Sequence, residues 1–153
     1  MKIIIKDIIN ESEDKQEKLI KKYSELINTP YFYDLKSMDV PEEYWKNIFS
    51  YKFNQPVTVK SNYVLDENGN TIYREDSNGY WTIIEYDDNG NETYSVDSYG
   101  RKIKTEYNNN GHTVYYENED GYWYKQLFDI HDNLIYFEDS NGHIDDYRYE
   151  EGN

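Results

Sequence analysis

The chain has 153 residues, of which 16 are lysine or arginine and 31 are aspartate or glutamate, so its formal net charge is -15. This excess of negative charge excludes electrostatic binding of phosphate backbones or anionic lipid as the main activity. The absence of cysteine excludes disulfides, thiolate nucleophiles and zinc–cysteine sites.

The N-terminal region, residues 1–55, is predicted to form a small αβ cap. Lys2 to Ile9 is rich in isoleucine and predicts a short strand. Glu11 to Ile27 has apolar residues at helical spacing and predicts a helix, which Asn28-Thr29-Pro30 ends. A second helix is predicted from about Pro41 through Phe49, because proline suits a first turn. We expect the apolar faces of these helices to pack on the sheet that follows.

The start of the chain is not expected to be a signal peptide or a membrane anchor. Its isoleucines form no sustained apolar segment and acidic residues follow them. No apolar run in the chain approaches the roughly 20 residues that a membrane-spanning helix needs. We therefore expect no membrane partner.

Residues 56–153 contain all eight glycines and 21 of the 31 acidic residues. The glycines stand at positions 69, 79, 90, 100, 111, 121, 142 and 152, which are 10 or 11 residues apart except for one double gap. Asp132 lies in that gap, and aspartate tolerates the left-handed backbone conformation that such glycines adopt. The pattern indicates a repeat of about 21 residues with two turns in each unit.

The segments between these turns are rich in Tyr, Thr, Ile and Val, which predicts strands joined by hairpins. Consecutive strands must then be antiparallel neighbours, and we expect eight or nine, the first from about Val57 to Val64. Tyrosines recur at 21-residue intervals and are expected to pack as a row on one face: Tyr73, Tyr94, Tyr115 and Tyr136. The predicted fold class is α+β, with the N-terminal cap on an elongated antiparallel β-meander in a single-layer or coiled sheet. A closed barrel is the competing geometry.

The repeat units resemble the YD repeats of Rhs-type proteins. Residues 85–100, EYDDNGNETYSVDSYG, and 106–121, EYNNNGHTVYYENEDG, pair an aromatic–Asp or aromatic–Asn step with a downstream glycine. The resemblance extends from about Leu65 to Asn153. Long arrays of that family wind into a β-shell around a toxin, whereas this chain has about four units and lacks the self-cleaving motif and the toxin. The resemblance therefore implies a small repeat protein of the phage or antitoxin type, without the shell function.

The turn sequences are interpreted as structural elements. Asp-x-Asn-Gly-Asn at residues 66–70 and 87–91 resembles a calcium loop, but glycine comes at its fourth position and no closing glutamate follows. His112, His131 and His143 have no catalytic partner at a recurring spacing. We therefore expect no metal, no cofactor and no catalytic residues, and a protein that is not an enzyme.

Acidic residues at the predicted turns are the strongest functional signal. One set of turns carries Asp66, Glu67, Asp87, Asp88, Asp129 and Asp132, and the other carries Glu75, Asp76, Asp97, Glu117, Glu119, Asp120, Glu138 and Asp139. Equivalent turns recur on every second strand, about 9–10 Å apart. Two such rows imitate the charges of a nucleic-acid duplex and suit a basic nucleic-acid-binding protein of the host as partner. In the alternative interpretation, the charge only keeps an edge-rich sheet soluble.

Composition indicates an AT-rich genome, because alanine is absent and lysine outnumbers arginine 13 to 3. We expect a cytoplasmic protein of a bacterial host, encoded by a phage or mobile element, that inhibits a defence nuclease (as an anti-CRISPR or anti-restriction protein) by nucleic-acid mimicry. The alternative is an immunity or antitoxin-like protein, or a glycan-binding module, that uses an aromatic platform of Tyr80, Trp81, Tyr122 and Trp123. Exposed sheet edges would also allow a homodimer.

Overall fold

The computed structural model describes residues 31–37 and 39–149. The predicted strand at Lys2 to Ile9 and the predicted helix at Glu11 to Ile27 lie outside these residues. The described elements, in chain order, are α1 (Tyr31–Ser37), a 3₁₀ turn η1 (Glu42–Tyr44), α2 (Trp45–Phe53), β1 (Thr58–Lys60), β2 (Tyr63–Leu65), β3 (Thr71–Glu75), β4 (Trp81–Tyr86), β5 (Glu92–Asp97), β6 (Lys102–Tyr107), β7 (Thr113–Asn118), β8 (Trp123–Phe128), β9 (Leu134–Asp139) and β10 (Ile144–Asp146).

The ten strands form an antiparallel meander whose hydrogen-bonded order follows the chain from β1 to β10. The predicted α+β class with a β-meander is therefore confirmed. Contacts divide the chain into two compact units, with the division between Thr82 and Ile83. The domain boundary expected after Gln55 follows a change in composition and stays a prediction.

The predicted first strand, Val57 to Val64, is wrong because the structure divides it into β1 and β2. These two strands pair antiparallel, with Lys60 opposite Tyr63. Ser61 turns the chain at φ 51°. The side chain of Asn62 donates to the carbonyl of Glu75, and its own carbonyl accepts from the Glu75 N–H at 3.1 Å. This hairpin lacks the glycine that marks the later turns, so the expected strand count was too low.

The core of the first unit forms between the two helices and strands β2 and β3. Its buried apolar residues include Phe32, Leu35, Trp45, Ile48, Phe49, Val64, Ile72 and Tyr73. The ring of Tyr73 lies 5.8 Å from that of Phe32 and 5.9 Å from that of Phe49, measured between centroids. The second predicted helix agrees with the structure, since Pro41 precedes η1 and α2 continues directly from it.

Helix α1 was not predicted, and a buried carboxylate holds its first turn. Glu75 is 5 % exposed. Its Oε2 accepts from the Phe32 N–H at 2.8 Å and its Oε1 accepts from the Tyr33 N–H at 3.0 Å. The Tyr73 hydroxyl also donates to Oε2, at 3.0 Å. First-turn amides have no partner within a helix, and seven residues are too few for a stable isolated helix, so α1 depends on this contact.

Eight hairpin turns between β2 and β10 share one backbone geometry. In the turn 87–91, the Asp87 N–H donates to the Asn91 carbonyl at 2.9 Å, and the Gly90 N–H donates to the Asp87 carbonyl at 3.0 Å. The fourth residue has a φ of 79° to 84° where it is glycine and 65° at Asp132. This is a three-residue loop in which a type I turn is followed by a left-handed residue. The prediction that Asp132 takes the place of a glycine is confirmed.

Replacing Glu75 with glutamine should destabilise the first unit by about 2 kcal/mol, because hydrogen bonds to a charged group each contribute roughly 1.5–3 kcal/mol. The free energy of unfolding can be measured in urea from the fluorescence of buried Trp45. Asp76→Asn is the matched control, since it removes one charge from the adjacent residue and keeps a turn oxygen. Equal destabilisation by both variants would contradict the role of Glu75.

Replacing Gly111 with alanine should lower the free energy of unfolding by about 1–2 kcal/mol, the usual cost of a left-handed conformation for a residue with a side chain. Gly111 has φ +83°, and no atom lies within 4 Å of an added Cβ, so the cost arises in the backbone alone. Gly111→Asp should cost less, as Asp132 occupies the same position in its own turn. Chemical denaturation of the two variants gives the comparison, and a larger loss for aspartate than for alanine would disprove this explanation.

Candidate functional surface

The first residue of each of the eight turns is Asp or Asn, and its side chain holds the turn in place. In the turn 87–91, Oδ1 of Asp87 accepts from the N–H groups of Asn89 and Asn91, both at 2.9 Å. We name this pair of bonds the Asx clamp. It is made by Asp66, Asp76, Asp87, Asp97, Asn108, Asn118, Asp129 and Asp139. The acidic residues at these positions therefore form the turns as well as carrying charge.

Hydrogen bonds within the turn lower the pKa of two of these carboxylates. The N–H of Asn91 lowers the pKa of Asp87, and the N–H and side chain of Asn133 lower the pKa of Asp129. In both turns the asparagine side chain donates to the second oxygen, at 3.2 Å in the first and 3.1 Å in the second. Each of these two carboxylates accepts three hydrogen bonds, which hold its orientation.

Glu75 and Asp97 do not belong to an exposed acidic row, and this part of the prediction is wrong. Glu75 is buried under α1, as described above. Asp97 is 7 % exposed, and its Oδ2 accepts from Nε of Arg101 at 2.7 Å. The carboxylate of Glu75 therefore has partners within the first unit, and the carboxylate of Asp97 has a partner within the second unit.

Three further predicted acids have partners on the protein surface. Oε2 of Glu117 accepts from the Tyr115 hydroxyl at 2.8 Å, and Oε2 of Glu138 accepts from the Tyr136 hydroxyl at 3.0 Å. Asp132 lies 2.9 Å from the side-chain nitrogen of Asn110 and 3.3 Å from Nε2 of His112. The Asp132 contacts join two turns that lie on the same side of the second unit.

The other exposed predicted acids are Glu67 and Asp76 in the first unit and Asp88, Glu119 and Asp120 in the second. Glu119 also accepts weakly from the Lys102 N–H, at 3.3 Å. The turn 108–112 carries no acid, and the turn 97–101 carries Arg101 beside Asp97. The acids of the second unit therefore lie on separate turns, and the turn 108–112, at which no acid was predicted, interrupts one of the two rows.

One face of the second unit's sheet alternates charged and aromatic side chains. Strand register places Lys104 opposite Glu117, Glu106 opposite Tyr115, Glu117 opposite Trp123 and Lys125 opposite both Tyr115 and Glu138. We call these residues, with Tyr94 and Tyr136, the mixed face. The Lys104 ammonium lies 5.7 Å from the Tyr115 ring centroid, and the Lys125 ammonium lies 5.2 Å from that of Trp123.

The other face carries the stacked rings, which we call the aromatic face: Tyr116, Tyr122, Tyr124, Phe137 and His143. Tyr116 and Tyr124 stack at 5.1 Å, and Tyr124 and Phe137 at 5.7 Å. Burial raises the pKa of the Tyr122 and Tyr124 hydroxyls. Ring stacking thus joins consecutive strands on this face and does not join the tyrosines spaced by 21 residues.

This arrangement differs from the expected aromatic row and from the expected aromatic platform. Tyr94 and Tyr115 share the mixed face, but Lys104 on the intervening strand pairs with Tyr94 and covers Tyr115. Tyr122 packs on the aromatic face, whereas its neighbour Trp123 lies on the mixed face. The two rings therefore do not form one flat surface. Tyr80 and Trp81 are half-buried and belong to the first unit.

A cleft of about 550 Å³ lies beside α1 in the first unit. Its lining includes Phe32, Tyr33, Lys36, Asn62 and Glu75. The carboxylate of Glu75 is already occupied by two main-chain donors and the Tyr73 hydroxyl. The groups in the cleft that a ligand could contact are therefore Lys36 and the aromatic rings. The buried carboxylate of Glu75 stabilises the fold.

Within residues 31–37 and 39–149, no group of three or more His, Asp and Glu side chains is arranged to hold a metal ion. No helix in this part of the chain has the length and apolar composition needed to cross a membrane. Comparison with protein-family models and with curated proteins found no match to this chain. The likeness to YD repeats stays a prediction.

Asp146 should titrate far below an ordinary aspartate. Its two oxygens accept from Nε and Nη2 of Arg148 at 2.9 and 2.7 Å, and these bonds lower its pKa to about 2. Because the folded pKa is depressed from the ordinary value of about 3.9, the pair stabilises the fold above that pH and loses this effect as pH falls through about 2. Carboxyl NMR titration measures the shift.

The control for this titration is Arg148→Gln, which should return the pKa of Asp146 towards its usual value. Asp129 in the same variant should be unaffected, because turn amides lower its pKa. An unchanged Asp146 titration in Arg148→Gln would refute the assignment.

Proposed function

We propose that the protein is a non-enzymatic binding protein that inhibits a nucleic-acid enzyme by occupying its basic binding surface. Fifteen acidic and five basic side chains lie between residues 83 and 149. A partner surface that normally holds phosphates would attract this segment at long range and orient it on approach. Direct binding of nucleic acid is disfavoured for the same reason.

The observation that carries this proposal is the rigid presentation of negative charge at the turns. Asp87 and Asp129 are fixed by the Asx clamp and by an asparagine side chain, with pKa values below the ordinary range. Asp88, Glu119 and Asp120 are exposed on turns of the same kind. Because the turns are already ordered, little conformational entropy is lost when a partner binds them.

Composition and surface charge together support the partner class that we propose. An AT-rich coding composition suits a phage or mobile element, and a host defence nuclease, RNA-guided or of the restriction type, has the required basic groove. The protein would act in the bacterial cytoplasm, where such a nuclease works. We also propose that the meander is a short array of YD-type units of about 21 residues, which supplies evenly spaced turns for this surface.

Neutralising the acidic turns should weaken inhibition without unfolding the protein. The test variant combines Asp88→Asn, Glu119→Gln and Asp120→Asn. These three residues are exposed and none of them makes an Asx clamp, so the turns keep the side-chain bonds from Asp87 and Asn118. We expect at least tenfold weaker inhibition of a nuclease recovered from host extract, with an unchanged melting temperature. Wild-type binding should fall steeply from about 50 to about 200 mM salt.

The matched control removes the same number of charges elsewhere, with Asp39→Asn, Glu42→Gln and Glu43→Gln, all exposed. If both variants weakened inhibition equally, the effect would depend on net charge alone, and an interface at the acidic turns would be rejected. Salt-resistant binding that Trp123→Ala abolishes would reject mimicry in favour of an aromatic interface, as expected for an immunity-type or glycan-binding protein.

A further inference from the structure

A Tyr-x-Glu sequence occurs three times at one position of the 21-residue sequence pattern: Tyr73–Glu75, Tyr115–Glu117 and Tyr136–Glu138. In each, the tyrosine hydroxyl donates to Oε2 of the glutamate, at 3.0, 2.8 and 3.0 Å respectively. The remaining position has Tyr94-Ser95-Val96 and lacks the acid. The chain thus contains one side-chain arrangement in three copies.

The first copy shows what this arrangement binds. Glu75 accepts from two consecutive main-chain N–H groups in the first turn of α1, those of Phe32 and Tyr33. The ring of Tyr73 stacks on the ring of Phe32, with 5.8 Å between centroids and 25° between planes. The pair therefore recognises the first turn of a helix through its free amides and through one aromatic side chain.

The second copy differs from the first at one carboxylate oxygen. Glu117 is half-buried, and none of the described residues donates a hydrogen bond to its Oε1, the atom equivalent to the one that binds Tyr33 in the first copy. The Lys104 ammonium lies 5.7 Å from the centroid of the Tyr115 ring, whereas in the first copy Phe32 stacks on the ring of Tyr73. Lys104 is held by a 3.5 Å ion pair with Glu106 and its side chain is 56 % exposed, so it can move aside.

The third copy is closed by a stronger contact. The Arg148 guanidinium lies 4.6 Å from the ring centroid of Tyr136 and is bound through two nitrogens to Asp146. Bidentate pairs of this kind hold their geometry better than a single lysine contact. Tyr115 and Glu117 are therefore the accessible copy.

We propose that Tyr115 and Glu117 form a docking site for the first turn of an α-helix in a partner protein. Glu117 accepts the first free amides of that helix, and an aromatic side chain on the same turn displaces Lys104 and stacks on Tyr115. Trp123 lies directly opposite Glu117 in the strand register, next to this site. This site lies on the mixed face and does not depend on the acidic turns or on the inhibitor mechanism proposed above.

The proposed occupant is a helix of another protein. Among the described helices, the first turn of α1 is bound by Glu75, and the Trp45 N–H at the start of α2 donates to the Glu42 carbonyl. The positive end of a helix also complements the negative charge of Glu117.

The test titrates full-length protein with an acetylated, side-chain-stapled peptide that begins with the sequence of residues 30–37, Pro-Tyr-Phe-Tyr-Asp-Leu-Lys-Ser. Circular dichroism first establishes that the peptide is helical, and acetylation removes the terminal charge. NMR should show saturable shifts at Glu117, Lys104 and the Trp123 indole. We expect Glu117→Gln, or alanine in place of the peptide's phenylalanine, to weaken binding at least tenfold.

Glu92→Gln is the matched control, because it removes one exposed acid from the same face, two residues before Tyr94 on β5, and lies outside the Tyr–Glu pairs. It should leave affinity for the peptide within about twofold of the wild type.

Val96→Glu tests the proposal by gain of function. It places a glutamate two residues after Tyr94, which completes the Tyr-x-Glu sequence there, and should add a second binding site.

Each of four results would overturn the proposal. The helical peptide shows no saturable binding to the wild type, or it binds Glu117→Gln as tightly as the wild type, or it shifts only resonances around Glu75. Self-association that Glu117→Gln abolishes would likewise overturn it and assign the site to a second copy of this chain.

Discussion

The structure depends on one local constraint, which is repeated eight times. A single side-chain oxygen accepts from two main-chain amides, and one residue later in the loop adopts a left-handed conformation. Together these fix the loop at three residues and return the chain beside itself, so each strand pairs with the strand before it. The contact lies within five consecutive residues and needs no tertiary partner. A chain with few apolar residues can therefore form a long sheet, since most of its order is specified locally.

The features that could be predicted from sequence are those set by interactions between residues close together in the chain. Glycine spacing predicted the hairpins, and Asp132 was placed correctly because its conformational tolerance is a property of the residue itself. Helix α1 was missed because Pro30 was interpreted only as a stop signal, although proline also suits a helix start. The β1–β2 hairpin was missed because its turn depends on Ser61 and on the bond from Asn62 to a distant carbonyl, with no glycine to mark it.

The same limit applies to the candidate surface, where tertiary contacts decide which side chains are exposed. Charge can be counted from the sequence, but whether a carboxylate is available to a partner cannot. Glu75 and Glu117 stand in the same Tyr-x-Glu sequence, yet a helix buries the first and leaves the second half-exposed. Likewise, a 21-residue spacing places tyrosines on one face and says nothing of the residues on intervening strands. Lys104 and Lys125 occupy those strands and separate the rings.

The interchangeability of aspartate and asparagine in the Asx clamp has a genetic consequence. Codons for the two residues differ by a single base at the first position, so one transition mutation converts a charged turn into a neutral one. Both residues form the clamp in this chain, at Asp87 and at Asn108 for example. A lineage can therefore change the charge of its hairpin ends by single-base substitutions, one turn at a time, and keep the clamp that forms each turn. Such a scaffold is suited to following a binding partner that itself evolves quickly.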